Sequence, residues 1–231
     1  MAPAITKVPV YLEIGQKRTF AGALDWPGWC RSGRDEACAL QALLENAPGY
    51  ARVLRSTRLG FKAPTDISAF VVQERLQGNA TTDFGAPGLA PAWDASPVDS
   101  TELKRLQNML RACWRALERA LETGSGKMLR TGPRGGGREL EGILQHVLDA
   151  NEGYLNSVGW KYRRDQAGEL ASQIDQVRQA TLEALSVSAR GEIPAKGPRG
   201  GLRWSPRYFV RRSAWHMLDH VWEIEDRLIS A

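Results

Sequence analysis

The sequence predicts an α+β chain, with a small sheet and one helix first and a four-helix bundle after it. Three observations predict this. Two short β-prone runs flank a glycine-bearing turn near the start. A stretch rich in Gly, Ala, Pro and Thr then interrupts the chain, and four amphipathic patterns follow it to the end.

The opening runs are Val8 to Ile14 and Arg18 to Leu24, and Gly15-Gln16-Lys17 between them suits a hairpin turn. Asp25-Trp26-Pro27-Gly28 breaks the second run. A helix is expected from about Asp35, since Leu40, Leu43, Leu44 and Ala47 fall on one face, with Pro48-Gly49 ending or kinking it. Ile67 to Val72 reads as a further strand that can extend to Leu76. These elements make residues 1–76 one unit. Residues 77–97, with FGAPGLAPAW at their centre, read as a linker or a long covering loop.

Residues 98–231 carry the helices. The first spans about 98–122, with Leu103, Leu106, Leu110, Cys113, Leu117 and Leu121 on one stripe. The second spans about 138–158, the third 167–185 and the fourth 206–229, where Pro206 fits a first helical turn. Four such helices in sequence argue for a bundle. A degenerate repeat runs through it. Gly132-Pro133-Arg134-Gly135-Gly136 recurs as Gly197-Pro198-Arg199-Gly200-Gly201, and each copy precedes a helix bearing His-x-Leu-Asp. In an up-down-up-down order the second and fourth helices are parallel, which would put both Gly-rich loops at one end.

Composition excludes several classes. The charge of +5 over 231 residues is a mild excess, and no stripe of interleaved basic and aromatic residues stands out, which points away from nucleic acid. No run approaches eighteen apolar residues, and the first fifteen residues do not form a signal peptide. Cys30, Cys38 and Cys113 fit no disulfide framework. Reduced thiols in a cytoplasmic protein are the simplest account. There is no P-loop, no GxGxxG after a strand and no GxSxG elbow.

The chain holds three histidines, His146, His216 and His220. His216 and His220 are four apart on a predicted helix, so both imidazoles share a face at chelate spacing. His146 lies on the helix equivalent to theirs in the repeat. Three imidazoles with an open position describe a catalytic-type zinc site and also suit nickel or iron. The plainer alternative is three ordinary half-buried polar residues. Asp149, Asp219 and Glu223 are carboxylates placed to orient ligand imidazoles or simply to face solvent. All the histidines lie on the flank of their apolar stripes, which expects a site toward an opening of the bundle.

ILQHVLDANEGYL and SAWHMLDHVWEIEDRL together resemble the two metal-bearing helices of the DinB-like superfamily, over about residues 98–231. The resemblance implies His146, His216 and His220 as ligands of zinc, nickel or iron. Some relatives are thiol-dependent transferases or isomerases that use a low-molecular-weight thiol, and many have no established reaction. FAGALDWPGWCRSGRDEACALQALLENA is similar to HicB-like domains. That resemblance implies a partial ribonuclease-H-like fold. The antitoxin role of those domains does not carry over, since no helix-turn-helix or ribbon module accompanies the segment.

Two functional expectations follow. One is a metal-dependent enzyme, a thiol transferase or hydrolase acting on a small molecule. The other is a non-catalytic protein that binds a partner and uses the metal only to clamp the bundle. A homodimer is left open by both. Arg134 and Arg199, equivalent in the repeat, are expected to hold an anionic group of the substrate or thiol cofactor at helix N-termini. The competing account is that the loops need glycine only for flexibility. Cys30 and Cys113 are expected to be inert, the latter as packing.

Overall fold

The structure, a computed structural model, describes residues 7–131 and 137–228. The chain divides into two compact units at Ser96/Pro97. Among the described residues it is mixed α+β, with one four-stranded sheet and six α-helices.

In the first unit β1 (Val8–Ile14) and β2 (Thr19–Ala23) form the expected hairpin. Cys30–Gly33 adds β3, a four-residue strand that the sequence reading left in a loop. The order is β3-β2-β1-β4, with β4 (Phe70–Gln77) parallel to β1. A parallel neighbour requires a crossover, and helix α1 (Glu36–Leu54) supplies it. Asp35 caps that helix by accepting the Cys38 N–H at 2.8 Å. Pro48 does not end it. The missing N–H costs about 3 kcal/mol. The next turn offsets that cost by burying Tyr50, Val53 and Leu54, and the Tyr50 hydroxyl donates to the Pro27 carbonyl at 2.9 Å. Trp29, fully buried, stacks on Tyr50 and donates its indole N–H to the Leu43 carbonyl.

The strand expected from Ile67 starts three residues later, after a turn of 3-10 helix at Ile67–Ala69 capped by Asp66. Residues 78–96 belong to the same unit as the sheet. They include the short helix α2 (Ala80–Phe84) and are tied to β1 by Glu13. That carboxylate is fully buried and accepts the Thr82 hydroxyl at 2.5 Å, the Gly88 N–H at 2.9 Å and the Leu89 N–H at 3.1 Å.

The second unit holds α3 (Ser100–Gly124), α4 (Leu140–Val158), α5 (Leu170–Ala189) and α6 (Pro206–Arg227). Side-chain pairs give their directions. Arg207 meets Glu102, so α6 starts where α3 starts. Gln107 meets Ser186 and Glu118 meets Arg178, so α5 runs against α3. The α6 C-terminus meets the chain that enters α4, through Arg130 N–H to Arg227 carbonyl at 2.8 Å and Arg227 to the Arg138 carbonyl at 3.0 Å. At the opposite end, Trp204 N–H bonds the Ser157 carbonyl at 3.0 Å.

Helices α4 and α6 are therefore antiparallel, which corrects the up-down-up-down order. The order is up-down-down-up. Residues 159–169 make this possible by returning along α4, where Arg164 reaches back to Gln145 and Asp149. Eleven extended residues span up to about 36 Å, and α4 is only about 28 Å long at 1.5 Å per residue. The return starts at Gly159, the left-handed cap of α4 at φ 94°. Helix α6 is enclosed on nearly every side, from Tyr208 to Ile224. No helix of the described residues is long and apolar enough to cross a membrane.

Candidate metal centre

The antiparallel packing sets the early turns of α4 against the middle turns of α6. His146 thereby meets His216 and His220. The Nε2 atoms of His146 and His216 are 3.2 Å apart, and those of His216 and His220 are 3.3 Å apart. The three rings stand steeply to one another, at 68°, 88° and 89°. One ligand atom from each lies within 4.8 Å of the others.

Hydrogen bonding alone satisfies this convergence poorly. His216 Nε2 has one in-plane site, occupied by a proton or by a lone pair, and cannot make two good hydrogen bonds at once. A cation facing three lone pairs satisfies all the rings. With zinc–nitrogen bonds of 2.0–2.1 Å in tetrahedral geometry, neighbouring nitrogens lie about 3.3 Å apart. The two shortest separations match that value.

Position decides protonation. His216 and His220 are buried and His146 is half-buried. The flank of the α6 stripe is thus closed rather than open, because α6 has neighbours all round. Burial pushes His216 well below the ordinary histidine range, and the adjoining His220 and His146 push the same way. Burial also lowers His146, with the Arg138 charge second. Both rings are held neutral, the form that ligates.

His220 has a built support. Its Nδ1 lies 2.7 Å from a Glu223 carboxylate oxygen. The bond from His220 leads in holding that carboxyl below its usual range, with Arg227 adding to it. An ionised Glu223 only accepts, so His220 Nδ1 donates, and in the neutral ring this leaves the lone pair on Nε2, facing the other rings. Arg227 fixes Glu223 at 2.7 Å and also donates to the Arg130 and Arg138 carbonyls. His216 lacks such support among the described residues, where its buried Nδ1 has no hydrogen-bond partner.

The remaining candidates fall elsewhere. Asp149 pairs with the buried Arg164. Asp219 is half-buried on the turn between His216 and His220. Arg134 lies outside the described residues. Arg199 is exposed in a turn before α6. The first Gly-rich loop, residues 132–136, lies outside the described residues with Arg134. Arg130 and Arg138, which flank that loop, meet the α6 C-terminus, and the second loop precedes the α6 N-terminus. Cys113 is fully buried, and burial pushes its thiol up to about 12. Cys30 is buried beside the Tyr11 hydroxyl.

Sequence reasoning missed the groups that border the histidines. The Tyr154 ring is 5.8 Å from the His216 ring, and the Arg212 guanidinium lies 5.6 Å from Tyr154 and 4.7 Å from Trp215. The available signal was helical phase. Arg212 precedes His216 by one turn, and Tyr154 follows His146 by two.

Against protein-family models, curated proteins and solved structures, the chain finds no match.

Proposed function

We propose that this chain is a cytoplasmic, metal-binding DinB-like protein. Its four-helix bundle would hold one divalent transition ion through His146, His216 and His220. The observation that carries this reading is the double approach of His146 and His220 to His216 Nε2, at 3.2 and 3.3 Å. The donor set of three neutral imidazoles suits zinc first, then nickel or iron. Cys30, Cys38 and Cys113 form no disulfide with one another, which fits a reducing compartment. The first unit is read as HicB-like in fold only.

The ion would supply Lewis acidity at a position left open by three protein ligands. The chain's own residues do the rest. Glu223 sets the tautomer of His220. Arg227 holds Glu223 and ties the start of α4 to the end of α6. Burial of His216 and His220 keeps water from most of the site. On this basis the protein acts on a small molecule, as a transferase using a low-molecular-weight thiol or as a hydrolase.

Metal analysis of the purified chain tests the reading. About one transition metal per chain is expected, with most of it lost in His216→Ala/His220→Ala. Full retention in that double variant would overturn the ligand set. A screen of thiols with electrophiles then separates an enzyme from a protein whose metal only clamps the bundle.

A further inference from the structure

Arg138 stands at the entrance to α4, one residue before the N-cap Glu139. Its main-chain carbonyl accepts from Arg227 at 3.0 Å, which leaves its own guanidinium out of that tie between α4 and α6. The side chain runs along α4 over Gly142. A Cβ built on Gly142 would meet Arg138 Cβ at 3.3 Å, Cγ at 3.7 Å and Cδ at 3.8 Å. Gly142 precedes His146 by one helical turn on the same face. The missing side chain at 142 thus gives Arg138 a path along the helix toward His146. After burial, the Arg138 charge is the next cause that lowers the His146 pKa.

The charges around the histidines are otherwise matched in pairs. Asp149 and Glu223 are acids whose charge reaches His146. Asp149 pairs with Arg164, and Glu223 pairs with Arg227. Among the described residues Arg138 has no carboxylate partner, and residues 132–136 contain no acid. A divalent ion on three neutral imidazoles would add two positive charges beside it. His216 and His220 are buried, His146 is half-buried and Arg138 is exposed. The way in from solvent therefore lies on the side of His146 and Arg138.

We infer that Arg138 binds one oxygen of a carboxylate whose other oxygen takes the open position at the histidine centre. This rests on the metal reading above and narrows the ligand of that site to a small carboxylic acid. Two oxygens in one plane can serve the ion and the guanidinium together. A neutral ligand leaves the charge of Arg138 unmatched.

Cobalt-loaded full-length protein provides the test, with acetate as the probe and imidazole as a neutral ligand for the same position. The cobalt absorption spectrum reads occupancy of that position. Acetate should bind, and Arg138→Gln should weaken it about tenfold or more, as expected for loss of a charge-assisted pair. Imidazole affinity should be unchanged in that variant. Arg138→Lys keeps the charge without the fork and should fall between. Gly142→Leu keeps the arginine but obstructs its stem, so it should weaken acetate as well. Cobalt stoichiometry should be unchanged in all three variants, because the tie from Arg227 goes to the main chain. Equal acetate affinity in the parent and in Arg138→Gln would overturn the inference. So would an equal loss of acetate and imidazole, which would mark a structural effect on the centre, or absence of acetate binding with cobalt in place. A parent protein that takes up no cobalt would sink the metal reading and this inference with it, whereas the other adverse results sink this inference alone.

Discussion

His146 Nε2 lies 3.2 Å from His216 Nε2 across seventy residues of sequence, and the contact joins the second turn of α4 to the middle of α6. The two helices run in opposite directions. The return of residues 159–169 along α4 goes with that direction.

Metal removal should destabilise the second unit. An ion at a thousandfold excess over its dissociation constant stabilises the folded state by about 4 kcal/mol. Stripping it with a chelator should lower Tm by on the order of 10 °C, given about 2–4 °C per kcal/mol at this size. Differential scanning calorimetry with and without added zinc checks this. Identical transitions in both conditions would count against a bound ion.

Glu223 should set affinity without being a ligand. Glu223→Ala should weaken zinc binding by about 10–100-fold, the usual range for loss of a carboxylate behind a ligand histidine. Glu223→Gln should fall between, since its amide oxygen can still accept from His220. Competition with a chromogenic chelator measures this. Unchanged affinity in Glu223→Ala would remove Glu223 from the site.

Acid should weaken the metal-free protein first through its histidines. His146 and His216 are held below the ordinary value of 6.5, so the folded state disfavours their charged forms. Their contribution to stability is complete above 6.5 and is lost as pH falls through their lowered folded values. The urea midpoint should therefore drop between pH 7.5 and 5.5, and His216→Phe should flatten the drop. A flat profile in the parent would contradict burial of neutral rings.

Cys113 should resist thiol reagents in the native state. Its thiol titrates near 12 against an ordinary 9.0, and burial is the main cause. At pH 8 Cys113 should label only after unfolding. The raised value also makes Cys113 a stabilising group below pH 9 whose contribution is lost as pH rises toward 12. Mass spectrometry of alkylated native protein reads the labelling, and rapid native modification of Cys113 would refute the packing described for α3.

Glu13→Ala should loosen the first unit. The change leaves the Gly88 and Leu89 N–H groups and the Thr82 hydroxyl without their acceptor, at a cost of about 2–4 kcal/mol. Residues 78–97 should become the first site of limited proteolysis in the variant and be cut more slowly in the parent. Equal cutting rates would mean that Glu13 does not hold the segment.

Much of the secondary structure was legible in local chemistry. The span Val8 to Ile14 follows from its β-prone run, and the four long helices follow from apolar residues every three or four positions. His216 and His220 announce a shared face by their spacing, because four residues make about one turn. Strand β3 was not legible, since Cys30–Gly33 carries polar side chains and gains its place only by pairing with β2. Pro48 misled for a similar reason, as the burial that carries α1 past it comes from the sheet and not from the helix. The internal repeat misled most. It implied equivalent, parallel helices, whereas direction depends on how a connection of eleven residues travels, and no periodicity encodes that path. Chain-local periods determined which residues share a face. Only tertiary packing decided which faces meet, and so which of His146, Asp149, Glu223 and Arg212 stand at the same centre.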